Sequence, residues 1–116
     1  MLLLTTTGRT SGISRATPLL YVQDDDQLVL VASNWGQPRH PAWSNNLLAN
    51  PDVIVQVHGQ RWPAKARLAT DADRARLWSK VLDVWPAYQT YADRSGREIR
   101  VFMIRRTGQS IGRNGV

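Results

Sequence analysis

Short strand-like segments separated by turn residues dominate this chain and restrict it to a fold built on a β-sheet. Residues 2–7 and 16–22 are predicted strands, and the segment between them contains Gly8 and Gly12. Residues 28–33 form an almost continuous apolar run with β-branched side chains, which is typical of a strand covered on both faces. Further strands are predicted over residues 53–57, 62–68 and 99–104.

Two helices are predicted between these strands. Pro41 opens a short helix that runs through Ala49. A longer helix begins after Thr70, which is a good N-cap residue. In that helix one face is formed by Trp78, Val81, Leu82 and Trp85, so Trp85 is predicted to fill the core.

A break at Pro86 follows the longer helix, and a short helical or turn segment then carries Tyr88 and Tyr91. A polar linker leads from this segment to the last strand. The tyrosines either line a pocket with their hydroxyl groups or fill the mouth of the barrel.

The pattern of about six strands and two covering helices predicts a mainly β fold, a split β-barrel. At 116 residues, with no internal repeat, the chain is expected to form a single domain over residues 1–106, followed by a flexible tail over 107–116. The three leucines at the amino terminus are too few for a signal peptide or a membrane span, so we expect a soluble, cytoplasmic protein.

Charge and composition indicate an anionic partner. Fifteen basic residues, thirteen of them arginine, stand against nine acidic residues, which gives a net charge of +6. Nucleic acid, acidic lipid and a phosphorylated cofactor all satisfy this balance. The chain has no cysteine, and His40 and His58 lack nearby partners, so neither a metal site nor a nucleophilic triad is predicted.

Three segments contain candidate site residues. The turn with Arg9, Thr10, Ser11 and the nearby Arg15 either surrounds a phosphate or is an ordinary solvated turn. In the segment over residues 33–46, Trp43 either forms the wall of a flat ring site or packs in the core, and Asn45 or Asn46 either contacts a ligand or caps the helix. The third segment carries Tyr88 and Tyr91. With one glutamate in the chain and no positioned carboxylate pair, hydrolysis is not expected, and a borrowed cofactor would explain any reactivity.

The blocks LLLTTTGRTSGISRATPLLY, VASNWG, HPAWSNNLLANP and WPAYQTY resemble, in wording and in order, the deazaflavin-dependent nitroreductase family. The resemblance spans about residues 2–105. It implies a split β-barrel that binds reduced coenzyme F420 and passes its hydride to a nitroaromatic, quinone or activated enone substrate.

The resemblance also implies the site. Residues matching the family's catalytic positions are Ser33, Tyr88 and Tyr91, which would face or orient the substrate. Residues matching its cofactor contacts are Arg9, Thr10, Ser11, Arg15, Ala16, Thr17, Pro18, Leu19, Leu20, Val31, Ala32, Ser33, Asn34, Ala42, Trp43, Ser44, Asn45, Asn46 and Tyr88.

Departures from the family pattern concern the substrate and the anion contacts. Thr10 and Asn34 stand where relatives often carry lysine, which weakens the expected anion affinity. Leu20 and Trp85 stand where nitro-reducing members often carry tyrosine, so the pocket is expected to suit a quinone or enone better than a nitro compound. An FMN-binding relative is the near alternative, and a basic barrel for single-stranded nucleic acid is the alternative from another class. A homodimer is plausible for such a barrel.

Overall fold

The computed structural model describes residues 1–113, which form one curled antiparallel sheet with three α-helices. The strands are β1 (Leu2–Thr7), β2 (Ser14–Leu19), β3 (Val22–Asp24), β4 (Gln27–Val31), β5 (Asp52–Val57), β6 (Gln60–Leu68), β7 (Val101–Arg106) and β8 (Gly112–Arg113). The helices are α1 (Ala42–Ala49), α2 (Asp71–Val84) and α3 (Ala87–Ser95), with a short 3-10 helix at Asn34–Gly36. The predicted mainly β, split-barrel class is confirmed. None of the helices described is long and apolar enough to cross a membrane.

The sheet order is β2-β1-β5-β6-β7-β4-β3, and every neighbouring pair is antiparallel. The concave face holds the main core, to which α1 contributes Trp43 and Leu47. On the opposite face, α2 covers the β3-β4-β7 end with Leu77 and Val81. Strand β4 lies between the two cores, so the prediction that it is covered on both faces is confirmed.

The second predicted strand is wrong in its extent. Strand β2 ends at Leu19, and the chain then crosses to the opposite edge of the sheet, where Val22 pairs with Val29. The predicted strand over 16–22 is divided because its first part pairs with β1 at one end of the sheet order and its last part pairs with β4 at the other end. The break falls at Leu20 and Tyr21.

The region after Pro86 also differs from prediction. It is a nine-residue helix, α3, so of the predicted helical and turn alternatives the helix is correct, and the described residues have three α-helices rather than two. Trp85, predicted in the core, is 39% exposed, because α2 ends at Val84 and the chain turns away from the sheet there. The buried face of α2 is instead formed by Leu77 and Val81.

The segment after β7 runs beside β6. The Thr107 amide donates a hydrogen bond to the Pro63 carbonyl, and the Ile111 amide donates to the Arg61 carbonyl. Strand β8 then pairs with Gln60 and Arg61. Residues 114–116 of the predicted tail lie outside the described residues, and the domain limit at residue 106 stays a prediction.

A buried carboxylate joins α2 to the β3-β4 turn. Asp24 is 2% exposed and accepts hydrogen bonds from Arg76, Lys80 and Gln27 at 2.9 to 3.1 Å. The hydrogen bonds from Arg76 and the other two donors hold the pKa of Asp24 far below its usual value. Asp24 therefore stabilises the fold at pH values above its unfolded pKa, and this contribution is lost in strong acid.

We expect Asp24→Asn to lower the free energy of unfolding at pH 7 by about 1–3 kcal/mol, because charge-assisted hydrogen bonds are weakened while Arg76 and Lys80 remain partly solvated. Urea denaturation measures the difference. The control is Asp25→Asn, since Asp25 is exposed and its positive φ of 51° suits asparagine. Equal stability of the two variants would contradict this role for Asp24.

Candidate active site

A cleft of about 580 Å³ opens between the end of β4, strand β2, the start of α1 and helix α3. This volume lies within the range of small-molecule sites. No arginine, lysine, histidine, aspartate or glutamate is among the described side chains that line it. The lining residues are Met1, Thr17, Pro18, Leu19, Leu20, Val31, Ser33, Asn34, Trp35, Pro41, Trp43, Trp85, Ala87, Tyr88 and Tyr91.

The structure brings ten of the predicted site residues together in this cleft. They are Thr17, Pro18, Leu19, Leu20, Val31, Ser33, Asn34, Trp43, Tyr88 and Tyr91. The other predicted residues do not line it: Arg9, Thr10, Ser11, Arg15, Ala16, Ala32, Ala42, Ser44, Asn45 and Asn46. Their roles toward a ligand stay predictions.

The predicted anion turn does not line the cleft but is docked on α1, the helix whose Trp43 does. At Gly8 the backbone passes close to the Ser11 side chain, because an added Cβ would meet the Ser11 hydroxyl. The Arg9 amide donates to the Asn46 side-chain oxygen at 3.1 Å. The Asn46 amide nitrogen lies 3.4 Å from the Thr6 hydroxyl. Asn46 is buried and lies three residues after Trp43 on α1. Asn46 therefore links the β1-β2 turn to the helix that supplies a wall of the cleft.

Two other predicted residues on α1 bond to a neighbouring arginine. The Arg100 guanidinium donates to the Ser44 hydroxyl at 3.1 Å and to the Asn45 side-chain oxygen at 2.9 Å. Ser44 is completely buried. These contacts fix α1 against the start of β7.

Aromatic rings form the opposite wall. Tyr88 and Tyr91 meet edge to face with 6.0 Å between ring centroids, and Trp35 meets Tyr91 at the same distance. Burial, followed by the nearby Tyr91, raises the pKa of Tyr88 above its ordinary value of 10.0. The Tyr88 hydroxyl is therefore protonated at neutral pH and can donate a hydrogen bond.

Five lining residues are not among the predicted site residues: Met1, Trp35, Pro41, Trp85 and Ala87. Trp35 lies inside a recognised segment, but its positive φ of 57° and its exposure of 70% are not revealed by residue type. Trp85 was assigned to the core by helical spacing, and the signal against that assignment was the adjacent Pro86.

Arg97 was not predicted to support the site, whereas His40, which precedes Pro41, was expected to have a structural role. The Arg97 side chain contacts His40 Nδ1 at 3.1 Å, and arginine only donates, so Nδ1 is the acceptor and the ring is neutral in this arrangement. Burial, with Arg100 and Arg97 nearby, lowers the pKa of His40 below 6.5. His40 thus supports the loop behind the cleft, in agreement with the structural role expected from sequence.

A second groove of about 410 Å³ lies on the other side of His40 and mixes charges of both signs. Its residues are His40, Leu68, Ala69, Thr70, Asp71, Arg74, Glu98 and Arg100. Arg74 there is already bonded to Glu98 at 2.9 Å and to the Ile99 carbonyl at 2.6 Å. Within residues 1–113, no group of three or more potential metal ligands is found.

Comparison with known proteins identifies a consistent set of relatives. The family model for F420H(2)-dependent quinone reductase matches residues 1–106. A protein from Mycobacterium tuberculosis H37Rv named F420H(2)-dependent quinone reductase is 41% identical over 108 residues, which are 90% of this chain and 72% of that protein.

Solved structures agree with this result. A structure described as an F420-H2 dependent reductase is 36% identical, with a TM-score of 0.81 over 90% of this chain and 92% of that one. Another, described as a domain-swapped dimer, is also 36% identical, with a TM-score of 0.82 over 90% of this chain and 78% of that one.

We expect the free energy of unfolding to fall as the pH is lowered through 6.5, because the unfolded chain takes up the His40 proton before the folded protein does. The positive charges of Arg97 and Arg100 disfavour protonation of the His40 ring. Asp71, Arg74 and Glu98 line the second groove together with His40. Urea denaturation at several pH values measures the slope. His40→Asn, which keeps an acceptor that does not titrate, should flatten it, whereas His58→Asn in an exposed turn should not. A slope unchanged in His40→Asn would refute this assignment.

Proposed function

The chain belongs to the F420H(2)-dependent quinone reductase family, and we propose that its cleft is where a quinone-type substrate receives a hydride from reduced coenzyme F420. The observation that carries this proposal is the lining of the cleft, which combines aromatic walls and converging hydroxyl groups with no side chain of the charged residue types among the described residues. Such a lining suits two stacked neutral rings. A hydrolase would need a positioned acid, base or nucleophile, and the lining offers none of these beyond hydroxyl groups.

Two separate groups of residues fit the two parts of the cofactor, its ring and its anionic tail. The flat deazaflavin ring would lie against Trp43, Val31 and Pro18 in the uncharged cleft. Its phosphate and glutamyl carboxylates cannot be matched there, but the exposed Arg9 and Arg15 lie at the turn docked on α1, the helix that also carries Trp43. When bound, reduced F420 supplies the hydride.

The polar groups of the cleft would act on the acceptor. Reduction of a quinone to a hydroquinone adds one hydride and one proton, and negative charge develops on the quinone oxygen before that proton arrives. We assign Ser33 and Tyr91 to donate hydrogen bonds to this oxygen. The final proton comes from solvent or from a tyrosine hydroxyl, and the raised pKa of Tyr88 keeps that group protonated.

The side chains of the cleft wall favour a quinone among the possible acceptors. Leu20 and Trp85 both line the cleft and present no phenol hydroxyl to it. A nitro group, with two oxygens to orient, would gain less from this wall than a quinone carbonyl held by one or two donors. Reduction of nitroaromatics and activated enones stays a prediction.

Assembly and location are further proposals. Strand β2 is an exposed edge of the sheet, and a similar structure is described as a domain-swapped dimer, which supports a homodimer for this chain. A cytoplasmic location stays a prediction.

Cofactor choice is tested by tryptophan fluorescence, because Trp43 would touch the bound ring. We expect saturable quenching on titration with F420, and weak or no competition by FMN or a short oligonucleotide. Arg15→Ala should weaken F420 binding about tenfold through loss of a charge-assisted contact, and added salt should reduce this difference. Arg105→Ala, at an exposed position on β7, is the control. Preferred binding of FMN or oligonucleotide would overturn the proposal.

Quinone reduction tests the two hydrogen-bond donors. We expect Ser33→Ala and Tyr91→Phe each to lower kcat about 10- to 1000-fold with little change in KM, because the lost hydrogen bond forms mainly as charge develops. Stopped-flow absorbance of F420H2 oxidation measures the rate. Ser14→Ala and Tyr21→Phe remove hydroxyl groups outside the cleft and should have wild-type rates. Wild-type rates in Ser33→Ala and Tyr91→Phe would remove both residues from the mechanism.

A further inference from the structure

Arg97 lies outside the cleft, in the linker between α3 and β7, but its side chain is bonded to the loop that forms one cleft wall. Its guanidinium donates to the carbonyl oxygens of Ala32, Ser33 and Gln37 at 3.0 to 3.1 Å and contacts His40 Nδ1 at 3.1 Å. Arginine is suited to this task because its planar group directs several N–H donors in fixed directions. The Arg97 side chain is thus hydrogen-bonded to both ends of the loop after β4.

That loop requires external support. Asn34, Trp35 and Gly36 have consecutive positive φ values of 47°, 57° and 80°. Residues other than glycine are disfavoured in this left-handed region, so Asn34 and Trp35 stay there only if surrounding contacts impose it. The Arg97 contacts bracket this run, with Ser33 on one side and Gln37 on the other.

The other wall of the cleft is fixed to the same arginine. Helix α3 carries Tyr88 and Tyr91 and ends at Gly96, whose φ of 67° turns the chain toward the loop. The Arg97 amide donates to the Ser95 hydroxyl at 3.2 Å, and that hydroxyl donates to the Ala92 carbonyl at 3.0 Å. Arg97 is therefore held rigidly at the end of α3.

The two walls also touch directly at Gly36. A Cβ at this position would lie 3.2 Å from the Tyr91 carbonyl oxygen and Cα, so the loop backbone is packed closely against α3. The edge-to-face contact between Trp35 and Tyr91 lies beside it. A shift of the loop relative to α3 would thus disturb this packing and move Ser33 relative to Tyr91.

We propose that Arg97 is a positioning residue for hydride transfer, which sets the wall carrying Ser33 against the wall carrying Tyr91. This inference rests on the proposed function for its kinetic consequence, but its structural part stands on the contacts above. A misplacement of about 1 Å in a reacting pair costs up to about 100-fold in rate. The anion contacts assigned to Arg9 and Arg15 lie on a different element, and of the predicted cofactor contacts Ser33 and Asn34 lie on the loop that Arg97 holds. Cofactor affinity should therefore change by a smaller factor than the rate of hydride transfer.

The kinetic test compares Arg97→Lys and Arg97→Ala with wild type. Lysine keeps the charge but cannot direct donors to four acceptors at once, so we expect kcat for quinone reduction to fall about 10- to 100-fold in both variants. The dissociation constant for F420 should change by a smaller factor than kcat. Arg105→Ala is the control for loss of an arginine. Wild-type kcat in Arg97→Lys would overturn the proposal.

A second readout needs no cofactor or substrate. The five tryptophans give indole N–H signals in a 15N-labelled NMR spectrum, and the Trp35→Phe variant identifies the signal of Trp35. In Arg97→Lys we expect the Trp35 signal to shift or broaden, while that of Trp62, which lies on β6 beneath Arg106, stays in place. An unmoved Trp35 signal would refute the positioning role. Failure of wild type to bind F420 would instead refute the proposed function and leave this spectral test valid.

Discussion

Burial of β4 on both faces is the constraint on which the site depends. Leu28 and Leu30 point into the main core, and Val29 packs beneath α2. A strand packed on both sides cannot shift register without exposing one of these sets. The end of β4 is therefore a fixed point, and Ser33 and the loop after it start from a position that the core determines.

The arrangement separates the handling of charge from the handling of rings. Arg9 and Arg15 are exposed beside the β1-β2 turn, whereas the cleft wall contains only neutral side chains among the described residues. A guanidinium inside the cleft would attract water. It would also compete with the hydroxyl groups for the negative charge that develops on the acceptor oxygen. Because the arginines lie outside the cleft, they stay partly hydrated and their desolvation cost is small. The proposed hydroxyl donors then act in an environment of lower polarity.

The sequence predicted the strands well where the residue types within one strand decided the pattern, and poorly where the chain changed direction. The continuous apolar run of β4 was readable because burial on both faces imposes it. The split between β2 and β3 was not, since it depends on which strands are neighbours in the sheet. The cleft residues on β2, β4 and α1 were predicted from family resemblance, but Arg97 was not. Its partners are mostly backbone carbonyls about sixty residues away, which leave no trace in residue types.

The two hydroxyl groups assigned to the acceptor come from elements with different support. Ser33 follows a strand held by two cores, whereas Tyr91 lies on α3, of whose residues only Ser95 is buried. Helix α3 therefore has little apolar burial of its own to fix its place, and polar contacts at its end must supply the rest. The Ser95, Gly96 and Arg97 sequence does this by turning the chain and bonding it to the loop after β4. Precise placement of Tyr91 is thus a property of the linker more than of the helix.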